Sequence, residues 1–315
     1  MKLAFSTVAC PEWTLEEVAA KAAQMGYQGV ELRTLGPGNT QLACEPAQSD
    51  PAKIRRIFAD AGVEPICLST SWALHHKDPG KLHEARTGIT EAIEAAAEMG
   101  CSFVRIFPLQ VGVGEDRRTV VQRIASSVPA LADTAGEHGI QLLFENAGSF
   151  CSSKEWWWLL DLIEHPMAGL LWNIANAAAA DPNDRGGWVS VSTLNTRIRL
   201  AKLKDAPLSQ GAGFCQLGDG EVGIRKFIQR LMGIGYTGYL TVEWDRAWFP
   251  SLTPAEEFLP EAHQRLTTWL DELTTARETN IKALEKNASR NAPRSRAEIK
   301  AELEKKRAKA TAAQA

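Results

Sequence analysis

The sequence of 315 residues has no apolar run of 18 residues or more, which excludes an ordinary membrane-spanning helix. Its first residues, Met1-Lys2-Leu3-Ala4-Phe5-Ser6-Thr7, are apolar only briefly before Pro11 and Glu12, so the long apolar core of a secretion signal is missing. The six cysteines (Cys10, Cys44, Cys67, Cys101, Cys151 and Cys215) include no Cys-x-x-Cys pair, which argues against a disulfide framework and against a zinc cluster. These absences predict a cytoplasmic protein with reduced thiols and no membrane partner. There is no Gly-x-Gly-x-x-Gly after the first strand pattern, which counts against a doubly wound dinucleotide-binding sheet. A basic face is missing as well. The formal net charge is −3, and residues 276–315 hold 11 Lys and Arg against 5 Asp and Glu, so the preceding 275 residues carry −9. An acidic body is a poor surface for nucleic acid, and none is expected as a partner.

What is present is a regular alternation of short apolar runs and amphipathic stretches, with 44% hydrophobic residues to build a core. Eight strands are predicted, over 3–7, 28–33, 64–70, 102–108, 141–147, 168–174, 198–205 and 239–245. Helical patterns lie over 14–25, 51–61, 80–99, 117–138, 153–164, 187–196, 221–234 and 254–275. Gly26, Gly62, Gly100, Gly139 and Gly235 each close a helical pattern just before a strand. Strands that are apolar on both faces, repeated eight times with helices between, predict a single-domain α/β (β/α)8 TIM barrel over 1–275. Residues 276–315, rich in Ala, Lys, Glu and Arg and broken by Asn291-Ala292-Pro293, read as a basic tail that is helical or disordered, with a solvated helix over 296–309.

In such a barrel alternate strand residues point inward, and chemistry sits at the C-terminal strand ends. Polar residues late in each strand are therefore the candidates. They are Glu31 and Arg33 on strand two, Arg105 on strand four, Glu145 on strand five, Asn173 on strand six, Lys202 and Lys204 on strand seven, and Glu243 with Asp245 on strand eight. Salt bridges closing the barrel mouth are the structural alternative, and Glu31 with Arg33 or Arg105 is the pair best suited to it. For the whole set that alternative weakens, because burying many charges costs several kcal/mol per ion unless pairing or function retains them. His75 follows strand three on the same side. Trp172, Trp244 and Trp248 lie near the expected mouth, where an indole face stacks on a sugar ring. Trp156-Trp157-Trp158 cannot all face the core of one helix, since neighbours differ by about 100°.

These residues resemble the sugar phosphate isomerase/epimerase family, also called xylose isomerase-like barrels, which shares its fold with endonuclease IV. The resemblance covers residues 1–275. It rests on Gly29-Val30-Glu31-Leu32-Arg33, Phe144-Glu145-Asn146, Gly169-Leu170-Leu171-Trp172-Asn173, Lys204-Asp205-Ala206, Leu217-Gly218-Asp219-Gly220-Glu221-Val222, and Gly235-Tyr236-Thr237-Gly238-Tyr239 leading into Glu243-Trp244. It implies one divalent cation (Mn, Mg, Co or Zn) held by Glu, Asp, His and Glu at the ends of strands five to eight. The two glutamates then carry protons through a 1,2-enediolate.

Only half of that ligand pattern is present. Glu145 and Glu243 occupy the glutamate positions, Asn173 the aspartate position, Asn176 the histidine position three residues on, and Lys202 the strand-seven histidine position. Lysine offers three donors and no lone pair, so no metal is expected; a metal, if bound, would be held by Glu145, Asn173 and Glu243. The expectation is an isomerase or epimerase of carbohydrate metabolism acting on a keto-sugar, cyclitol or related polyol by proton transfer next to a carbonyl. Glu145, Lys202 and Glu243 are its expected catalytic residues. Glu31, Arg33, Arg105, His75, Asn173, Asn176, Lys204 and Trp244 are expected to bind substrate. A lyase of the same fold, a non-catalytic sugar-binding protein or partner subunit, and a homo-oligomer are the alternatives kept open.

Overall fold

The computed structural model describes residues 1–39, 41–44, 50–108, 110–209, 213–291, 300–301 and 303–305. The chain divides into two compact units, Met1–Thr267 and Thr268–Ala315.

The first unit is a closed barrel. Its strands are β1 (Lys2–Ser6), β2 (Gly29–Leu35), β3 (Gln41–Leu42), β4 (Glu64–Ala73), β5 (Phe103–Phe107), β6 (Gln141–Glu145), β7 (Ala168–Asn173), β8 (Ile198–Leu203) and β9 (Tyr239–Val242). All but β3 pair in parallel, in the order β1-β9-β8-β7-β6-β5-β4-β2, and β1 with β2 closes the ring. The short β3 is an addition to the eight expected strands and lies antiparallel on the end of β2, with Thr34 opposite Leu42. The helices are α1 (Leu15–Met25), α2 (Pro51–Ala61), α3 (Pro79–Met99), α4 (Arg117–Glu137), α5 (Ser153–Ile163), α6 (Ile174–Ala180), α7 (Trp188–Leu194), α8 (Ile224–Gly233) and α9 (Ala255–Asn291).

Local chemistry explains these boundaries. Thr14 and Glu17 form a reciprocal capping box at α1, and Asp50 and Asp78 cap α2 and α3 ahead of a proline in the first turn. Gly26 and Gly100 end α1 and α3 at φ 86° and 85°, a left-handed conformation that glycine adopts without a Cβ clash. Some strand ends shift by two or three residues, as where β9 ends at Val242 rather than 245, and three helical differences have a clear cause. α6 is new, because Asn173 ends β7 and caps a seven-residue helix with its own side chain. α8 begins at Ile224 rather than 221, because the Asp205 carboxylate accepts hydrogen bonds from the N–H groups of Gly218, Gly220 and Val222 and holds that segment as a loop. α9 runs on to Asn291, since residues 276–291 contain no glycine or proline. Most of the solvated helix expected over 296–309 lies outside the described residues.

Inside the barrel, Ala4, Cys67, Leu143, Leu171, Leu200 and Tyr239 form an apolar cluster with Phe103 packed against it. One step along the same strands the interior becomes polar.

Candidate active site

Two residues beyond the apolar layer, the strands present Glu31, Arg105, Glu145, Asn173 and Lys202, and all five are buried. Register puts Asn173 opposite Lys202 on β7 and β8, whereas Glu31, Arg105 and Glu145 lie opposite Cys67, Leu143 and Leu171 of the next strand, the stagger of a closed barrel. Glu243 follows directly on the end of β9. The Lys202 ammonium sits at the centre, with Nζ 3.0 Å from Glu31 Oε1, 3.2 Å from Glu145 Oε2 and 2.7 Å from Glu243 Oε2. Two of its three N–H donors make hydrogen bonds, to Glu31 and Glu145, and the contact with Glu243 is an ion pair. Arg105 Nε lies 3.0 Å from Glu145 Oε2 as an ion pair without hydrogen-bond alignment. Lys204 Nζ lies 2.9 Å from both Glu243 Oε1 and Asp245 Oδ2.

Above this network opens a cavity of about 400 Å³, lined among others by Arg33, Arg105, Glu145, Asn173, Asn176 and Lys204. Glu243, Asp245, Phe107, Trp248 and Phe249 complete its wall. A volume in this range suits a small molecule. A second cavity of about 250 Å³, beside Leu42, Leu68 and Trp72, is mostly apolar and among the described residues has only Glu91 as a charged wall residue, so it offers little for chemistry.

The charges tune one another. Burial alone would raise the Glu145 carboxyl, but Lys202 and Arg105 outweigh it and hold it below the usual carboxylate range. Glu243 is likewise held far down, against burial, by Lys202 and Lys204. Burial opposes the charge on Lys202, but Glu145, Glu243 and Glu31 push its pKa up. Asp245 goes the other way: burial, and then the neighbouring charge of Glu243, raise it. The site thus has two carboxylates fixed as anions and one that takes a proton more readily.

Residues 19–273 match the family of xylose isomerase-like TIM barrels. The chain belongs to that family. No curated protein matches the sequence. Among solved structures, this xylose isomerase-like barrel resembles L-ribulose 3-epimerase, with a TM-score of 0.74 at 15% identity, covering 88% of this chain and 97% of the other. It also resembles the IOLI protein with a zinc atom, at TM-score 0.71 and 16% identity, covering 87% and 99%. A third is D-allulose 3-epimerase from Methylomonas sp. in complex with D-allulose, at 0.68 and 18%, covering 85% and 96%. At these identities the likeness is one of fold.

A divalent cation does not fit the arrangement in this chain. The space between Glu145 and Glu243 is taken by the Lys202 ammonium, which contacts one oxygen of each. Asn173 presents its amide N–H to the remaining oxygens, with Nδ2 3.0 Å from Glu145 Oε1 and 3.4 Å from Glu243 Oε1. Its carbonyl oxygen instead accepts the N–H groups of Ala175 and Asn176 at the start of α6. The one neutral ligand of the expected set therefore turns its lone pairs away from the centre. Among the described residues no group of three or more His, Cys, Asp or Glu side chains is arranged to hold a metal ion.

The other expected site residues divide between the wall and its supports. Arg33, Arg105, Asn173, Asn176 and Lys204 line the cavity, whereas Lys202 and Glu31 lie beneath it, both fully buried. The expectation that Lys202 meets substrate directly is corrected accordingly, since its ammonium lies beneath the cavity wall among Glu31, Glu145 and Glu243. Trp244 is also displaced: it is buried, stacks on Phe258 at 3.8 Å and donates its indole N–H to Thr253 O. The exposed indole at the mouth is Trp248. His75 does not line the cavity. Its ring lies against His76, with centroids 4.3 Å apart and the planes tilted by 36°, and its carbonyl accepts a hydrogen bond from Arg123. Of the three consecutive tryptophans, Trp156 is buried against Phe144 and Trp157 is exposed beneath Arg197. Phe107 and Phe249 were missed, since aromatic residues in a strand or loop carry no sequence mark of facing a cavity. Asp205 belongs to the loop it organises. A Cβ on Gly220 would meet its Oδ1 at 2.3 Å, which explains the glycine in Leu217–Val222.

Proposed function

We propose that this protein moves a proton between carbon atoms next to a carbonyl of a keto-sugar, cyclitol or similar polyol, without a divalent cation. The observation that carries the reading is the Lys202 ammonium, held within 3.2 Å of Glu31, Glu145 and Glu243 where a metal would otherwise bind the two glutamates. It acts as a fixed internal cation that positions the carboxylates and does not itself reach the substrate.

The cavity groups then divide the work. Glu145 and Glu243 are poor bases, because their neighbours stabilise the anion and lower their proton affinity. Asp245 is the better proton carrier: it lines the cavity, and burial raises its pKa above that of an ordinary aspartate. Its carboxylate takes the proton from the carbon beside the carbonyl, the C–H pair becomes a C=C bond, and the carbonyl π pair moves to oxygen. The Lys204 ammonium, 2.9 Å from Asp245, stabilises the oxyanion that develops. Returning the proton to the former carbonyl carbon, while the proton of the adjacent hydroxyl passes to the oxyanion, completes an isomerisation; in an epimerisation a solvent proton adds to the opposite face of the same carbon as the carbonyl re-forms, and Asp245 gives its proton to solvent.

A second reading is a sugar-binding protein without turnover. It is favoured by the pairing of every Glu145 and Glu243 carboxylate oxygen with a cation or an amide. Incubation with ketohexoses in D2O containing EDTA separates the two. Deuterium at the carbon beside the carbonyl, lost in Asp245→Asn, supports turnover, while binding with no exchange supports the second reading.

A further inference from the structure

Arg33 differs from every other charged residue around the cavity. Lys202, Lys204 and Arg105 each have a carboxylate within 3.2 Å, whereas among the described residues Arg33 has none within ion-pair distance. Yet it is 7% exposed, and a buried guanidinium is costly to leave without an anion. Its recorded partners are neutral: Nη1 donates to Thr34 O and to Ser69 O at 3.0 Å, and Nη2 donates to Ser71 Oγ at 2.6 Å. A guanidinium has five N–H donors, so two are left for something else. The side chain lines the cavity, and Trp248 covers it with the ring centroid 5.9 Å away.

Arg105 lies on the same wall, two strands away across Ser69, and its charge weakens the hold of Arg33 on its proton, after burial. Arg105 is paired to Glu145. Two cations thus share one wall, and only one has a counter-charge. A carboxylate or phosphate on a ligand would supply the second, meeting the planar fork with two parallel hydrogen bonds.

We propose that the cavity binds a polyol carrying one anionic group, a carboxylate or a phosphate, with that group seated on Arg33 beneath Trp248. The inference rests on reading the cavity as a sugar site, and is independent of whether the bound molecule reacts. The opposite wall, with Asn173, Asn176 and Lys204, is left for the hydroxyl and carbonyl groups.

Three probes share one carbon skeleton and test it: D-fructose, D-fructuronate and D-fructose 6-phosphate, titrated calorimetrically into the full-length protein at low salt. The expected result is that at least one anionic probe binds at least about 10-fold tighter than D-fructose. The winner identifies the anion as carboxylate or phosphate. Arg33→Met should abolish the preference, and Arg33→Lys, which keeps the charge and loses the fork, should keep only part of it. Binding of D-fructose as tightly as both anionic probes, no binding of any probe, or a preference unchanged in Arg33→Met overturns the proposal. If Arg33→Met does not fold, the wild-type comparison and Arg33→Lys still decide. Deuterium exchange into the bound probe is scored separately, so an anionic preference without exchange would sink the proton-transfer reading and leave this one standing.

Discussion

The barrel interior has two layers that differ in what holds them together, although the same strands supply both. Leu143 and Glu145 are two residues apart on β6, as are Leu171 and Asn173 on β7 and Leu200 and Lys202 on β8. The first member of each pair packs in the apolar cluster, and the second joins the ion network. The lower layer is held by dispersion and the exclusion of water, which depend little on pH. The upper layer is held by charges that must all be present together, because a buried ion without its partner is far worse than no ion. A mouth built this way is pre-organised: Lys202 fixes three carboxylates before any ligand arrives.

The sharpest way to break the upper layer is Lys202→Met, which fills a similar volume and removes the charge. It leaves Glu31, Glu145 and Glu243 without their shared cation, and about 3–5 kcal/mol of stability should be lost at pH 7. The pH dependence is more telling than the size. In the native protein Glu145 and Glu243 have lowered pKa values, so their contribution is present above about pH 4.3 and is lost as pH falls toward the depressed values. Lys202 has a raised pKa, so its share is present below about pH 10.4 and fades only as pH climbs through its folded value. In Lys202→Met the shared cation is gone and Glu145 and Glu243 keep only Arg105 and Lys204, so protonation relieves the excess buried negative charge and denaturant melts should show stability rising as pH drops from 7 to 5. The wild type should not gain over that range, and a variant curve parallel to it would mean that the network is not what Lys202 contributes.

Leu171→Ala makes the matching cut in the lower layer. Leu171 is fully buried, and its truncation should cost about 2–5 kcal/mol through lost transfer energy and a cavity. Here the loss should be the same at pH 5 and pH 7. Converting the upper layer toward a metal site is the next step down in effect. Asn173→Asp with Lys202→His should turn no measurable Mn²⁺ binding into stoichiometric binding, and at 100 times Kd the ion should add about 2.7 kcal/mol of stability. Stoichiometric Mn²⁺, Zn²⁺, Co²⁺ or Mg²⁺ bound by Glu145 and Glu243 in the unmodified protein would show that Lys202 yields its place.

The lower layer was the easier one to find in the sequence. Strands buried on both faces read as continuous apolar runs, and glycines and acidic caps punctuate them, so all eight barrel strands were visible. The upper layer was visible as a set, because a charge at a strand end interrupts such a run. The depth of each charge was not visible. Lys202 and Lys204 share a parity, yet one lies under the cavity and the other on its wall, and that depends on strand tilt and on which carboxylate reaches each ammonium. Trp248 keeps its expected place at the mouth and Trp244 does not, for a similar reason: α9 supplies Phe258 as a stacking partner for Trp244 across a loop whose course no local pattern fixes. α6 went unseen because a seven-residue helix of mostly alanine lacks a polar face, and its only mark is the Asn173 cap.

The smallest expected effect lies outside both layers. Deleting residues 280–315 removes the end of α9 and everything after it, including Ile281, Leu284 and Leu303, which are 44%, 68% and 55% exposed. Side chains this exposed contribute little burial in the monomer, so the truncated protein should keep its stability to within about 0.5 kcal/mol. For a protein of this length that is a shift of no more than about 2 °C in Tm. The pH response of Lys202→Met should also be unchanged by the truncation, since sites without shared partners act additively. A much larger drop in Tm would mean that those apolar residues are covered in solution, and sedimentation would then identify the cover: a second copy of the chain makes the full-length protein a dimer and leaves the truncated one a monomer. The basic charge of the tail set against the acidic body points the same way, and high salt should then weaken the assembly. Equal Tm values and equal sedimentation for the two chains would leave 280–315 without a part in stability or assembly.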